Sequence, residues 1–198
     1  MNTNKAAQNL ASYLASELKM PEEQQEVLAY GLELILLGLL GIAAVALGGY
    51  LVGAPLEALA ALLASSLLRL PGGGWHLQSP LKCLIFTVLI FNIIGYFCKI
   101  VSQSANIHYI VLAIILSGFF SLAVSWFVAP VINPHKPLNS AKLKARLRRL
   151  AIAVALVVPL VLLFALGRWT ALALAGAAGL IWQSANMCLL KVIKRKGV

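Results

Sequence analysis

His76 and Cys83 are the residues of this chain whose types and spacing best fit acyl-transfer chemistry. They lie seven residues apart in the segment PGGGWHLQSPLKC (71–83), which interrupts an otherwise apolar sequence. A cysteine thiolate is a strong nucleophile, and a neighbouring imidazole can take up the thiol proton. The segment therefore predicts a catalytic Cys–His pair, provided that the fold brings the two side chains together.

The residues around this pair predict a helix start and a tight loop. Ser79 is a favoured N-cap and Pro80 suits the first helical position, so Cys83 would lie in the first turn. Free backbone N–H groups and the helix dipole favour a thiolate there. Gly73 and Gly74 would let the loop fold back, and their N–H groups, with those of the helix start, could stabilise an oxyanion.

Other readings of the cysteines and histidines remain open at this point. A cysteine in an apolar segment is usually a small hydrophobic side chain, and a loop histidine is usually only solvated. Cys98 and Cys188 have no suitable histidine in their own segments and are expected to be apolar fillers. His108 and His135 are expected to be structural. We expect no metal and no cofactor.

The composition indicates an integral membrane protein. Of 198 residues, 61% are hydrophobic and 11% are charged, against about a quarter charged in average soluble domains. The net charge of +10 does not indicate nucleic-acid binding, because the basic residues cluster at the ends of apolar segments. The first twenty residues lack the apolar centre of a cleavable signal peptide.

The apolar pattern predicts an all-α polytopic membrane protein with a single domain over residues 1–198. Residues 1–20 are expected to form an amphipathic helix on the membrane surface. A new helix start at Pro21 leads into the first apolar segment. The predicted spans are residues 30–52, 54–70, 81–100, 107–132, 151–169 and 170–192. This gives six crossings, or four plus a re-entrant pair if the short second segment turns back.

Lysine and arginine predict the orientation of these spans. The loop over residues 133–150 is strongly basic, the C-terminal tail is basic, and the linker SQSAN (102–106) carries no charge. Both termini and His76 are therefore expected to face the cytoplasm. The basic loop could bind anionic lipid or the acidic tail of a substrate. Its candidate contacts are Lys142, Lys144, Arg146, Arg148 and Arg149.

A few polar residues inside the predicted spans are further candidates. Glu33 lies near the inner end of the first span, where an acid could contact substrate or could simply extend to the interface. Gln183 and Asn186 on the last span could hydrogen-bond between helices or orient His76. For both amides the helix contact is the simpler interpretation.

Four segments together resemble one known family. They are AYGLELILLGLLGI (29–42), RLPGGGWHLQSPLKC (69–83), VAPVINPHKPLN (128–139) and the polar-marked final span. The chain resembles the accessory gene regulator protein B (AgrB) family from about Glu26 to Lys191. The resemblance implies a bacterial cell-membrane cysteine endopeptidase of quorum sensing, with His76 and Cys83 as its catalytic pair.

The resemblance also implies the substrate and the partners. Such enzymes cut the C-terminal tail from a small amphipathic propeptide (AgrD-like) and help close the remainder into a thiolactone or lactone ring. A homodimer in lipid is implied as well, and small residues that permit close helix approach fit it: Gly38, Gly41, Ala171, Ala175 and Gly179. The alternatives are a small transporter or exporter, which usually shows internal repeats and midplane polar groups, and a non-catalytic membrane scaffold.

Overall fold

The computed structural model describes residues 3–18, 20–74, 79–131 and 140–195, and these residues form an all-helical structure. The helices found in these ranges are α1 (Thr3–Leu18), α2 (Glu22–Leu51), α3 (Pro55–Gly72), α4 (Pro80–Ser104), α5 (Ile107–Phe127), α6 (Ala141–Ala165) and α7 (Thr170–Arg195). An isolated parallel bridge joins Gly73 to Val131, and the described residues form no strand. The all-α fold class is therefore confirmed.

Within the described ranges, five helices are long and apolar enough to cross a membrane, as a multi-pass membrane protein requires. These segments are Gln24–Leu51, Leu81–Ser104, Ile107–Phe127, Ala141–Ala165 and Thr170–Val192. The 18-residue α3 does not belong to this set, because Glu57 and Arg69 lower the hydropathy of a helix that is already short. The count of six crossings stays a prediction.

Residues 1–44 form one compact unit. Within it, α1 buries Ala7, Ala11 and Ala15, which share one helix face because they are four residues apart. Leu10 and Leu18 are exposed on the same helix. Thr3–Leu18 is helical, and the amphipathic character and the membrane-surface location of this helix stay predictions.

Residues 45–198 form the second unit, in which α3 lies against both α4 and α7. A Cβ atom on Gly179 of α7 would overlap the backbone of Ala61, and one on Gly95 of α4 would come within 2.5 Å of the Ala58 nitrogen. Glycines and alanines thus let the backbones approach closely. Because α3 is held from two sides, the positions of Gly73 and Gly74, which follow it, are also fixed.

The basic segment differs from the loop that was predicted over residues 133–150. Residues 141–150 are helical and form the start of α6, and the residues from 132 to 139, which include His135, lie outside the described ranges. Ser140 caps this helix by accepting a 3.4 Å hydrogen bond from the Leu143 N–H. The sequence AKLKARLRRL consists of strong helix formers, which explains why the helix begins before the apolar run.

One end of the second unit brings together several segments that are distant in sequence. The Val131 N–H donates to the Gly72 carbonyl at 2.8 Å, and Lys191 Nζ donates to the Phe127 carbonyl at 2.7 Å. A separate contact of the same kind lies near the last turns of α4, where Lys99 Nζ donates to the carbonyl of Gly53 in the turn after α2. The loops after α3 and α5 and the last turns of α7 therefore lie together.

Candidate active site

Cys83 lies close to the start of α4, as the sequence predicted. Ser79 is the N-cap residue with an extended backbone, and Pro80 occupies the first turn. The Cys83 N–H donates to the Ser79 carbonyl at 3.0 Å, whereas the Ser79 side chain makes no capping hydrogen bond. The Cys83 thiol is free and partly exposed. A nucleophile here lies near uncapped N–H groups at the positive end of the helix.

His76 belongs to residues 75–78, which lie outside the described residues. The pairing of His76 with Cys83 therefore stays a prediction. The structure does describe the chain on both sides of His76, at Gly74 and at Ser79.

Gly73 is anchored by three different elements. Its φ of 76° is a left-handed value that favours glycine, and its N–H donates to the Arg69 carbonyl at 2.8 Å. Its carbonyl accepts a 2.7 Å hydrogen bond from Gln183 Nε2, and a Cβ atom would lie 2.5 Å from the Val131 oxygen. Because its N–H is already used, Gly73 supports the loop, and an oxyanion role stays a prediction for Gly74 and the first turn of α4.

Gln183 reaches the glycine segment from α7. Its side chain is fully buried, and Nε2 would lie 3.1 Å from a Cβ atom on Gly74. The start of α4 packs against the same part of α7, since the rings of Phe86 and Trp182 have centroids 5.9 Å apart. The structure thus gives Gln183 a hydrogen bond from α7 to the segment after α3, and its orientation of His76 stays a prediction.

Arg69 is a site residue that the sequence analysis did not single out. It lies in the last turn of α3, and a Cβ atom on Gly74 would be 3.7 Å from its Nε. Burial lowers the pKa of the Arg69 guanidinium, and interaction with Cys83 raises it. The guanidinium remains charged, because arginine is not deprotonated in proteins. The feature of the sequence that could have identified Arg69 is a single basic residue in an apolar helix, shortly before the three glycines.

The structure gives Asn186 a contact within its own helix and places Glu33 in the N-terminal unit. Asn186 Nδ2 donates to the Trp182 carbonyl of its own helix at 3.0 Å. Glu33 belongs to the N-terminal unit, where it lines a polar groove of about 660 Å³. The other residues that line this groove are Gln8, Asn9, Ser12, Gln25, Glu26, Ala29 and Tyr30.

The basic residues of α6 fall into two groups. Arg148 donates from Nη2 to the Trp126 carbonyl and stacks 5.4 Å from the centroid of the Trp126 ring. It therefore stabilises the end of α5, because a cation suits the free carbonyls of a helix C-terminus. The remaining candidates are exposed along the first turns of α6: Lys142, Lys144, Arg146 and Arg149.

Comparison with known proteins supports the family that the sequence suggested. The profile of the accessory gene regulator B family matches residues 7–187. Two AgrB-like proteins of Clostridium perfringens, from strains SM101 and 13, are 30% and 29% identical to this chain over 141 residues. The match covers 71% of this chain and 66% of each relative, so the chain spans slightly less than two thirds of their length. No solved structure gives a significant match.

The family profile covers Cys83 as well as the residues that meet at the end of α3, including Arg69, Gly73 and Gln183. The two relatives bear the family's name as well. This chain belongs to the accessory gene regulator B (AgrB) family.

Proposed function

We propose that this protein is a membrane cysteine endopeptidase of quorum sensing, in which Cys83 is the nucleophile and His76 is its general base. The substrate is a small amphipathic propeptide of the AgrD type. The observation that supports this most directly is the environment of Cys83. The partly exposed thiol of Cys83 lies at a helix start and interacts electrostatically with the guanidinium of Arg69. A cysteine in this position can act as a nucleophile on a carbonyl once a base takes its proton.

The first step transfers the propeptide to the enzyme. His76 takes the proton of the Cys83 thiol, and the sulfur attacks the scissile carbonyl. Backbone N–H groups of the first turn of α4 stabilise the oxyanion. The C–N bond then breaks, the imidazolium gives its proton to the amine of the departing tail, and a thioester to Cys83 remains.

The second step closes the ring. A cysteine or serine of the propeptide attacks the thioester carbonyl, its proton passes to His76, and Cys83 leaves as the thiolate. Exchange of one thioester for another is close to neutral in free energy, so the step depends on exclusion of water.

The test is mass spectrometry of the protein in lipid nanodiscs with a propeptide whose internal cysteine is replaced by alanine. This substrate can acylate the enzyme but cannot form a thiolactone. We expect an adduct on Cys83 that contains the N-terminal part of the propeptide, together with free tail. Cys98→Ala and Cys188→Ala should retain cleavage within about threefold, as apolar fillers would. Tail release by Cys83→Ala would disprove the mechanism.

We also propose that His76, Cys83 and both termini face the cytoplasm of the bacterium. The clustering of Lys191 and Arg148 near the loop after α3 supports this, because cations concentrate on the inner side. A single cysteine at Ser104 should react with an impermeant maleimide from outside. Labelling from the inside alone would contradict the orientation.

A homodimer remains part of the proposal, with a changed contact surface. Ala175 and Gly179 are buried within the chain and are not available to a second copy. Within the N-terminal unit, no described atom lies within 4 Å of a Cβ atom on Gly38, so Gly38 is the candidate contact with a second copy. The mass in lipid nanodiscs should be that of two chains, and a monomeric mass would count against the dimer.

A further inference from the structure

The last turn of α5 is held by two cations that come from other helices. Lys191 Nζ of α7 donates to the Phe127 carbonyl at 2.7 Å, and Arg148 Nη2 of α6 donates to the Trp126 carbonyl. An α-helix leaves the carbonyls of its last turn without donors of its own. A basic side chain satisfies these acceptors and suits the negative end of the helix dipole. The two cations therefore fix the end of α5.

The loop that follows α5 leads from this end to the glycine segment, residues 72–74. Three residues separate Phe127 from Val131. The Val131 N–H donates to the Gly72 carbonyl at 2.8 Å, and Val131 forms a parallel bridge with Gly73. Because the loop is so short, a displacement at the end of α5 is passed on to the bridge.

One face of α7 contacts both sides of this bridge. Gln183, Met187 and Lys191 are four residues apart and therefore lie in one row along the helix. Gln183 Nε2 donates to the Gly73 carbonyl at 2.7 Å. A Cβ atom on Gly72 would lie 2.9 Å from Met187 Sδ. The first two members of the row thus contact the glycine segment directly, and the third reaches it through the loop after α5.

We propose that Lys191 and Arg148 are positioning residues of the proposed peptidase, and that they act on the glycine segment through the loop after α5. The bridge then fixes the backbone of Gly74, whose N–H is a candidate donor to the oxyanion. This role rests on the proposed function. Neither cation needs to contact the propeptide, so its loss should lower kcat and leave KM unchanged. Arg148 was a candidate for binding the substrate tail, and this proposal gives it a different role.

The test compares Lys191→Met with Lys99→Met in lipid nanodiscs. Lys99 is a matched control, because its Nζ also donates to a backbone carbonyl outside its own helix, that of Gly53 in the turn after α2. A shift of about 1 Å in a catalytic site can cost about 100-fold, and the loop keeps its other contacts, so we expect Lys191→Met to lower kcat for tail release by about tenfold, with KM within about threefold. Lys99→Met should keep both constants. An equal loss in the two variants would overturn the proposal.

Lys191→Arg tests whether the donor itself is needed. Arginine supplies N–H donors and a positive charge at the same position, so kcat should stay within about threefold of the wild-type value. A kcat as low as that of Lys191→Met would count against the proposal. A raised KM with unchanged kcat in Lys191→Met would place Lys191 in contact with the propeptide and would contradict a positioning role.

Hydrogen–deuterium exchange measures the displacement without any substrate. The Val131 N–H is protected by its bond to the Gly72 carbonyl, so it should exchange faster in Lys191→Met and at the wild-type rate in Lys99→Met. Arg148→Met should have the same effect through Trp126, and it provides the test if Lys191→Met does not accumulate in the membrane. Unchanged exchange at Val131 would overturn the proposal.

The proposed function fails separately from this role. Wild-type protein would then give no Cys83 adduct, whereas failure of the positioning role alone leaves the adduct intact. Exchange at Val131 requires no peptidase reaction, so it tests the link between Lys191 and the glycine segment in either case.

Discussion

The backbone N–H of Val131 donates to the carbonyl of Gly72 at 2.8 Å, and this bond joins the loop after α5 to the end of α3. The next residue, Gly73, is so close that a Cβ atom would lie 2.5 Å from the Val131 oxygen. The chain on one side of His76 is therefore held by a loop from elsewhere in the sequence. Small changes at this contact should disturb the site.

Gly73→Ala should lower both stability and tail release. Its backbone has φ 76° and ψ −168°, a region that is almost confined to glycine and costs other residues about 1–3 kcal/mol. Gly53→Ala is the control, because Gly53 has φ 73° but no atom within 4 Å of a Cβ among the described residues. Cleavage assays and thermal unfolding should show the larger loss at Gly73. An equal loss would mean that the contact with Val131 has no consequence.

Arg69→Gln should slow the chemical step. The substitution removes the cation that interacts electrostatically with Cys83, and about 1.4 kcal/mol of lost transition-state stabilisation corresponds to a tenfold lower kcat. Arg168→Gln serves as the control, since Arg168 is exposed and stacks on Trp169 in the turn between α6 and α7. Single-turnover cleavage measures the effect. Wild-type kinetics in Arg69→Gln would remove Arg69 from the site.

Gly179→Ala should destabilise the helical packing. The added methyl group would overlap the backbone of Ala61, and overpacking of this kind typically costs about 1–3 kcal/mol. Gly38→Ala adds the same group where no described atom lies within 4 Å and should have little effect on unfolding. Thermal unfolding in detergent compares the two. A stable Gly179→Ala protein would contradict the close approach of α3 and α7.

Charge reversal on α6 should weaken binding of a tailed propeptide. Replacement of Lys142, Arg146 and Arg149 by glutamate removes exposed cations that could attract the acidic tail, so KM should rise at low salt and less so at high salt. Arg148→Glu should act differently and lower stability, because Arg148 donates to the Trp126 carbonyl. If KM in neutral lipid does not change, these residues only bind lipid head groups.

The start of α4 shows how much local sequence can determine. Ser79, Pro80 and Cys83 were predicted at a helix N-terminus from residue types alone, and the helix begins there. Capping preferences and the fixed φ of proline act over two or three residues, so no distant contact is needed. The same local rules explain the correct all-α class and the early start of α6, where a row of helix formers was mistaken for a loop.

Local sequence rules did not predict the contacts that meet at Gly73. Arg69, Val131 and Gln183 meet at one glycine although they are up to 114 residues apart, between 69 and 183. Nothing in their own segments specifies this meeting, which depends on how α3 packs against α7.

The sequence by itself thus determined the helices, their apolar character and the candidate nucleophile, because periodicity and capping are local properties of the chain. Only the tertiary structure decided which residues meet at Gly73, at the end of α3. The close approach of Gly179 to Ala61 brings the end of α3 to Gln183, and the bridge to Val131 adds a third segment. Packing places residues from distant parts of the sequence side by side, and a single sequence contains no direct record of those distances.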